Sequence, residues 1–284
     1  MAIITIANEM LKVSISTLGA ELQSIVDKDG NERLWNGDPA FWTGRAYVLF
    51  PVAGGFKDDC YELNGERYEM SKHGFARRAE WQVETVEGEK AVFLLTEKKP
   101  GFPFEYELRA IYTLKGNALE VSYSVTSNDE RNFWFSVGCH EGYMTPEGIE
   151  EYEVVFDEEE CLAASPFEGN LSLHEPVIIA EKTRVLPLKY EYFTVDALVF
   201  RGLKSKGVTL QGGREGRKIR VEFPDHPVLM LWTKPNRAPY ICVECWCNGP
   251  DFVDAPANIA EKPGFIEINK GETITRTHTI TFIK

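Results

Sequence analysis

Four segments of the chain place ionisable side chains in apolar or glycine-containing surroundings. They are Lys72–Arg77 (KHGFAR), Ser136–Tyr143 (SVGCHEGY), Phe193–Phe200 (FTVDALVF) and Tyr240–Trp246 (YICVECW). A carboxylate among apolar strand residues is costly unless it is paired, so Asp196 and Glu244 stand out. His73 and His140 lie near glycines, which permit close approach of a ligand or of backbone. Carboxylates and imidazoles together can exchange protons with a bound molecule, as general acid–base catalysis requires.

Each of these residues also has a purely structural explanation. A buried carboxylate can be satisfied by its neighbours, and perturbed groups occur in structural networks as well as in active sites. The other histidines, His174, His226 and His278, lie in loop-like or alternating polar contexts, and we expect them at the surface. The acidic run Asp157–Glu160 is expected to be a solvated turn or strand end.

The elements that carry these residues are predicted to be strands. Apolar and polar residues alternate in Ala118–Val125, Ile219–Phe223 and Thr273–Ile283. Asn64-Gly65, between two strand-like runs, predicts a two-residue hairpin. No segment repeats its apolar residues with the helical period over more than about three turns, so no long amphipathic helix is predicted. Closely spaced strands without helices or a linker predict an all-β fold, a large antiparallel β-sandwich forming one domain over residues 1–284.

Composition narrows the classes of partner. The net charge of −13 argues against nucleic acid and anionic membranes, but is compatible with a neutral small molecule. The N-terminal segment Met1–Ile6 lacks the features of a signal peptide, and no apolar run approaches the ~18 residues of a membrane span. We therefore expect a cytoplasmic protein.

The cysteine-rich segment Cys242–Cys247 raises the question of a metal site. On a strand, Cys242 would point to one face, whereas Cys245 and Cys247 would point to the other. One ion could not then bind all three thiols, and no second cysteine pair has ligand spacing. We expect reduced, half-buried cysteines, no structural metal and no cofactor.

The four segments, in this order, resemble those of the aldose 1-epimerase (galactose mutarotase-like) superfamily, and most of all its LacX-like group. Ile15–Leu22 is similar to the opening G-A-x-L strand of the family, and Lys72–Arg77 to its H-G-F-x-R motif. Lys262–Gly264 and Asn269–Glu272 resemble the C-terminal K-x-G and G-E motifs. The resemblance covers nearly the whole chain and implies a galactose mutarotase-like supersandwich that interconverts sugar anomers without a cofactor.

The resemblance also implies roles for individual residues. Glu244 matches the general base that acts on the anomeric hydroxyl, and His140 the general acid at the ring oxygen. His73 matches a second histidine that contacts the sugar and assists proton transfer. Asp196 matches the carboxylate that holds sugar hydroxyls, and Arg45 is the expected cleft arginine. With a carboxylate nearby, we expect His140 to be charged, so that the acidic limb of the pH–rate profile reflects Glu244 and the basic limb His140.

Three residues depart from the family pattern. Glu141 and Cys245 stand where the family usually has proline, directly after His140 and Glu244. Gly55 stands where LacX-like proteins often carry arginine. These departures leave the preferred sugar open.

Several alternative functions share these residues. A hexose-6-phosphate 1-epimerase would need a basic pocket for the phosphate, which Lys72, Arg77 and Arg78 could form. Arg77 is also a predicted substrate-binding residue. A glycoside hydrolase could use Glu244 with Asp196, although it would not explain both histidines. A non-catalytic carbohydrate-binding relative is the third alternative. For the mutarotase prediction, we expect the partner to be a small sugar and the protein to be a monomer or homodimer.

Overall fold

The computed structural model describes residues 1–214 and 216–283, and strands dominate this part of the chain. The strands are β1 (Ile3–Ala7), β2 (Leu11–Ser16), β3 (Leu22–Asp27), β4 (Ala46–Leu49), β5 (Cys60–Leu63), β6 (Glu66–Glu69), β7 (Gln82–Glu87), β8 (Lys90–Leu95), β9 (Tyr106–Lys115), β10 (Ala118–Ser127), β11 (Phe133–Phe135), β12 (Gly138–Met144), β13 (Tyr152–Ala164), β14 (Phe167–Glu168), β15 (Leu171–Ser172), β16 (Val177–Pro187), β17 (Leu198–Arg201), β18 (Gly207–Gly212), β19 (Arg217–Glu222), β20 (Val228–Trp232), β21 (Tyr240–Trp246), β22 (Ile266–Ile268) and β23 (Thr273–Ile283). Short 3₁₀ helices occupy Lys57–Asp59, Ala76–Arg78, Ile149–Glu151, Tyr190–Phe193 and Ile259–Glu261. The all-β prediction is confirmed.

Most strands belong to one 14-stranded antiparallel sheet. Its order is β4-β12-β21-β20-β17-β13-β18-β19-β23-β10-β9-β8-β7, with β16 paired to β13. Smaller sheets, β1-β2-β3 and three two-stranded pairs, accompany it. The predicted alternating strands correspond to β10, β19 and β23. Strands that are far apart in the chain, such as β12 and β21, become neighbours in this order.

The large sheet folds over so that distant strands face one another across a core. Glu141 on β12 lies 2.9 Å from His278 Nε2 on β23, although six strands separate β12 from β23 in the sheet order. Along β9, alternate residues from Tyr106 to Leu114 are buried, as expected for a strand with one face on a core. Burial of each such large apolar side chain stabilises the fold by about 1.5–3 kcal/mol. This packing confirms the predicted sandwich.

The predicted hairpin is also present. β5 and β6 pair antiparallel on either side of Asn64 and Gly65, whose φ angles are 53° and 80°. Positive φ at both central residues is the requirement of the type I′ turn that the Asn-Gly pair favours.

Two surface predictions are wrong, and a third holds in part. Asp157–Glu160 lies within β13 rather than at a turn or strand end. Glu158 and Glu159 are exposed as expected, but Glu160 is buried, where it accepts hydrogen bonds from the backbone N–H and hydroxyl of Ser205. His226 and His278 are both buried, whereas His174 is exposed as expected. In β23, His278 lies on the same face as the buried residues Ile280 and Phe282, so the alternation of the strand itself places this histidine inward.

Candidate active site

A cleft of about 470 Å³ brings together most of the predicted site residues. Its wall includes side chains from β12, β20 and β21 and from the loops around residues 72–77 and 193–197. The predicted residues that line it are His73, Arg77, His140, Asp196 and Glu244. A second cavity of about 540 Å³, around Arg201 and Phe252, contains none of them.

The centre of the cleft is the pair formed by His140 and Glu244. The antiparallel register of β12 and β21 pairs Gly142 with Cys242 and Gly138 with Trp246, which places His140 opposite Glu244. His140 Nδ1 lies 3.5 Å from Glu244 Oε1, and only 1% of the Glu244 side chain is exposed. Neither Nδ1 of His140 nor Oε2 of Glu244 has a hydrogen-bond partner within the described chain. Both atoms are therefore available to a bound molecule.

Burial sets the protonation of this pair. Desolvation raises the pKa of Glu244 well above its usual range, and the negative charges of Glu141 and Asp196 add to this effect. Desolvation lowers the pKa of His140 to about 3, with a further contribution from the positive charges of Lys72 and Arg77. The structure therefore differs from the expectation of a charged His140: in the free cleft, a single proton shared by the pair resides on Glu244.

His73 is held as a neutral hydrogen-bond donor. Its backbone N–H donates to Gly54 O (2.7 Å), and the Gly54 N–H donates to His73 Nδ1 (3.1 Å). Because Nδ1 accepts, the ring proton of the neutral imidazole is on Nε2. Burial lowers the pKa of His73 well below its usual value, and nearby cationic groups lower it further. The ring centroid lies 5.8 Å from that of His140, so this donor serves the same cleft.

Asp196 lies in the cleft, but not on a strand as the sequence suggested. It occupies a bend that precedes β17, and its Oδ1 accepts a hydrogen bond from the Ala197 N–H (2.8 Å). Its Oδ2 lies 3.8 Å from Lys72 Nζ, and this ammonium also donates to Asn170 Oδ1. Asp196 and Lys72 thus form a partly exposed polar pair at the cleft, suited to hydrogen bonds with several hydroxyl groups.

The two predicted arginines have different positions. Arg77 lines the cleft, donates to the backbone oxygen of Lys72 (3.0 Å) and lies 5.4 Å from the Tyr47 ring centroid. Arg45 is not brought into the cleft, which corrects its predicted role. Its guanidinium instead donates to Gln23 O (2.5 Å) on β3, because the residue lies just before β4, beside that strand.

Aromatic side chains that sequence reasoning did not single out surround the pair. The ring centroids of Trp42, Trp232 and Tyr47 lie 4.8, 5.5 and 6.1 Å from that of His140. Trp246 lies 5.4 Å from His73. Aromatic residues make up 12% of the chain, a content that suits both strands and sugar-binding clefts but does not show which residues line a cleft. Their flat apolar surfaces are suited to the C–H face of a sugar ring.

Two of the three departures from the family pattern lie behind the cleft. Glu141 and Cys245 are on the opposite faces of β12 and β21 from His140 and Glu244, and both are buried. The Cys245 N–H donates to Cys139 Sγ (3.2 Å). Gly55, the third, faces the cleft margin: a β-carbon there would lie 3.6 Å from Asn170, the partner of Lys72.

Comparison with known proteins shows the family of this chain. The sequence model of the family described as aldose 1-epimerase matches residues 2–281. The chain belongs to the aldose 1-epimerase family. It is 31% identical to the plasmid-encoded protein LacX of Lactococcus lactis subsp. lactis, with 99% of both chains covered.

Solved structures show the same fold. A galactose mutarotase related enzyme from Lactobacillus acidophilus superposes with a TM-score of 0.93 at 29% identity, covering 100% of this chain and 98% of that one. A galactose mutarotase-like protein from Lactobacillus casei gives a TM-score of 0.93 at 28% identity, covering 99% and 100%. A galactose 1-epimerase from Lactobacillus acidophilus, at 15% identity and a TM-score of 0.75, shares the fold over 99% and 94%. None of the helices in residues 1–214 and 216–283 has the length and apolar character needed to cross a membrane.

Proposed function

We propose that the protein is a mutarotase that interconverts the α and β anomers of an unphosphorylated aldose. The observation that carries the proposal is the buried His140–Glu244 pair at 3.5 Å, whose two unpartnered polar atoms lie in an aromatic-walled cleft. One acid and one base held together in this way match the two proton transfers that ring opening requires. Membership of the aldose 1-epimerase family supports the same reaction.

The proposed reaction begins with a cyclic sugar whose ring face packs on the aromatic surface. Glu244, as carboxylate, removes the proton of the anomeric hydroxyl while His140, as imidazolium, protonates the ring oxygen. The C1–ring oxygen bond breaks and leaves the open-chain aldehyde. Rotation about C1–C2 and reclosure by the reverse transfers give the other anomer. His73 donates from Nε2 to a sugar oxygen, and Asp196 accepts from hydroxyl groups.

The reactive form holds the same number of protons as the resting pair. Neutral His140 with protonated Glu244 and charged His140 with ionised Glu244 differ only in the position of one proton. When a polar sugar binds, transfer of this proton from Glu244 to His140 generates the reactive form. No proton is exchanged with solvent in this step. In this scheme no metal or nucleotide takes part.

Anomer exchange measured by NMR on a panel of aldoses tests the proposal. Purified protein should accelerate exchange of at least one free aldose, such as galactose or glucose, well above the buffer rate. If no sugar of the panel exchanges faster than in buffer, while sugars still bind, the proposal fails in favour of a carbohydrate-binding protein.

A hexose 6-phosphate is the second candidate substrate, because Lys72 and Arg77 both line the cleft. Arg78, the third basic residue considered, is exposed and is not part of the lining. Competition between galactose and glucose 6-phosphate in the same exchange assay separates the two classes. A kcat/KM at least tenfold higher for the phosphorylated sugar would favour the second candidate.

A further inference from the structure

The catalytic pair has a third potential ligand beside it that the proposed reaction does not use. Cys242 precedes Glu244 by two residues on β21, so both side chains project to the same face of the strand. Cys242 also pairs with Gly142 on β12, two residues beyond His140. Cys242 Sγ, one ring nitrogen of His140 and a carboxylate oxygen of Glu244 all lie within 4.8 Å of one another.

We propose that Cys242, His140 and Glu244 form an inhibitory binding site for a thiophilic divalent cation, with Zn²⁺ as the best-matched ion. The proposal rests on the proposed function, because the ion would occupy the same two groups that carry the protons. Zinc binds through sulfur, imidazole nitrogen and carboxylate oxygen, and three such ligands with one open position are typical of accessible zinc sites.

Two buried polar atoms without hydrogen-bond partners support a ligand between His140 and Glu244. His140 Nδ1 and Glu244 Oε2 are buried and lack a hydrogen-bond partner among the described residues. A buried polar atom without a partner carries a desolvation cost that a bound ion would remove. His140 and Glu244 both line the cleft, so an ion can reach them from solvent.

A second cluster of the same ligand types allows a direct comparison. Cys139, Glu141 and His278 also place their ligand atoms within 4.8 Å of one another. There, however, Glu141 Oε1 is already hydrogen-bonded to His278, and the three residues lie in the core behind β12. The core cluster also has two unpartnered buried atoms, Glu141 Oε2 and His278 Nδ1, but none of its three residues lines the cleft. Access from solvent therefore favours the cluster at Cys242.

Binding of Zn²⁺ to the purified full chain can be measured by equilibrium dialysis with metal analysis. Wild type is expected to bind one ion and to lose anomer exchange as the ion binds. Cys242→Ala should bind at least about 100-fold more weakly, since loss of an outer-shell partner alone costs about 10–100-fold. Cys242→Ser provides a second variant of closer volume, and both should retain the exchange rate measured with chelator present.

Cadmium gives a readout that does not depend on activity. Cd²⁺ bound to wild type should show ultraviolet thiolate-to-metal charge-transfer absorption, which Cys242→Ala should lack and the exposed-site control Cys161→Ala should keep. Wild-type binding by Cys242→Ala overturns the proposal. Loss of binding in Cys139→Ala with Cys242→Ala unaffected also overturns it and assigns the ion to the core cluster. Zinc binding that depends on Cys242, in a protein that exchanges no sugar, would instead contradict the proposed function and the inhibitory role, and would support the ion site itself.

Discussion

At the residue scale, the proposed reaction depends on one carboxylate. Glu244→Gln preserves the volume and hydrogen-bonding capacity of the side chain but removes its basicity. We expect kcat to fall by about 10²–10⁴-fold with a small change in KM, since the loss concerns proton transfer. Exchange kinetics over a range of sugar concentrations measure both constants.

Glu120→Gln on β10 is a matched control, because this side chain pairs with Lys115 at the surface. It should exchange anomers at the wild-type rate. An unchanged kcat in Glu244→Gln would contradict the assignment of Glu244 as base.

Asp196 is expected to act in binding rather than in proton transfer. It is partly exposed and close to Lys72, so Asp196→Asn removes a charged acceptor for sugar hydroxyls. Its effect on the central pair is limited to the smaller, charge-based part of the raised pKa of Glu244, whose main cause is burial. We expect KM to rise at least as much as kcat falls. A variant that loses kcat alone, with KM at the wild-type value, would assign Asp196 to the chemical step.

The protonation of the buried pair predicts which group controls each limb of the pH–rate profile. Exchange requires one proton on the pair, so the rate should be bell-shaped. The acidic limb reports addition of a second proton, mainly to His140, whose pKa is lowered to about 3. The basic limb reports loss of the single proton from Glu244, whose pKa burial raises well above its usual range. Because the groups interact, both apparent pKa values belong to the pair.

The profile of kcat/KM in chelator-containing buffers tests this origin. A broad plateau that extends to acidic pH is expected. An acidic limb near the ordinary pKa of histidine, about 6.5, would show instead that His140 titrates as an unperturbed group in the free protein.

At the element scale, the turn after His73 holds that histidine against the cleft wall. Gly74 has φ of 64°, and a β-carbon there would lie 2.1 Å from Phe50 O, which is a backbone atom. Gly74→Ala should therefore destabilise the fold by more than the about 1–3 kcal/mol of a strained φ alone. It should also reduce kcat/KM, because relief of the overlap moves His73.

Gly65→Ala is a control that introduces the backbone strain of a positive φ without steric overlap of the new β-carbon. Gly65 has φ of 80° in the β5–β6 hairpin, but nothing lies within 4 Å of a β-carbon there. Urea unfolding should show a smaller loss of stability than for Gly74→Ala, and exchange should be unaffected. Equal losses in the two variants would show that contact with Phe50 is unimportant.

At the scale of the whole molecule, the buried pair Glu141–His278 links opposite sides of the sandwich. Burial alone would lower the pKa of His278, but the carboxylate of Glu141, hydrogen-bonded to its Nε2, raises this pKa well above its usual value. Removal of one member of a buried pair leaves an uncompensated charge, so His278→Ala should lower the free energy of unfolding by about 3–5 kcal/mol.

The pH dependence of this loss follows from the raised pKa. The native state holds the His278 proton more tightly than the unfolded state, so the stabilisation is complete below the unfolded pKa of about 6.5 and is lost as pH rises through the native pKa. Urea unfolding of wild type and His278→Ala at several pH values should show a difference that shrinks with rising pH. A difference independent of pH would contradict a charged His278.

The class of fold and most of the residues that line the candidate site could be predicted from the sequence. Period-two alternation predicted β10, β19 and β23, and Asn64-Gly65 predicted the hairpin, because these signals are local properties of strands and turns. Glu244 and His140 were found from their apolar or glycine-containing surroundings and from family motifs. The antiparallel register that places them opposite each other joins segments about 100 residues apart, so local pattern could not supply it.

Which polar residues share an environment depends on the tertiary structure. It directs Arg45 to β3, places Asp196 in a bend before β17, and buries His278 beside Glu141. It also reverses the expected protonation of His140 and Glu244. The physical reason is that burial and charge proximity arise from strands that meet only after the sheet has folded over. Desolvation, which dominates both pKa shifts, is a property of that three-dimensional packing and not of any one segment.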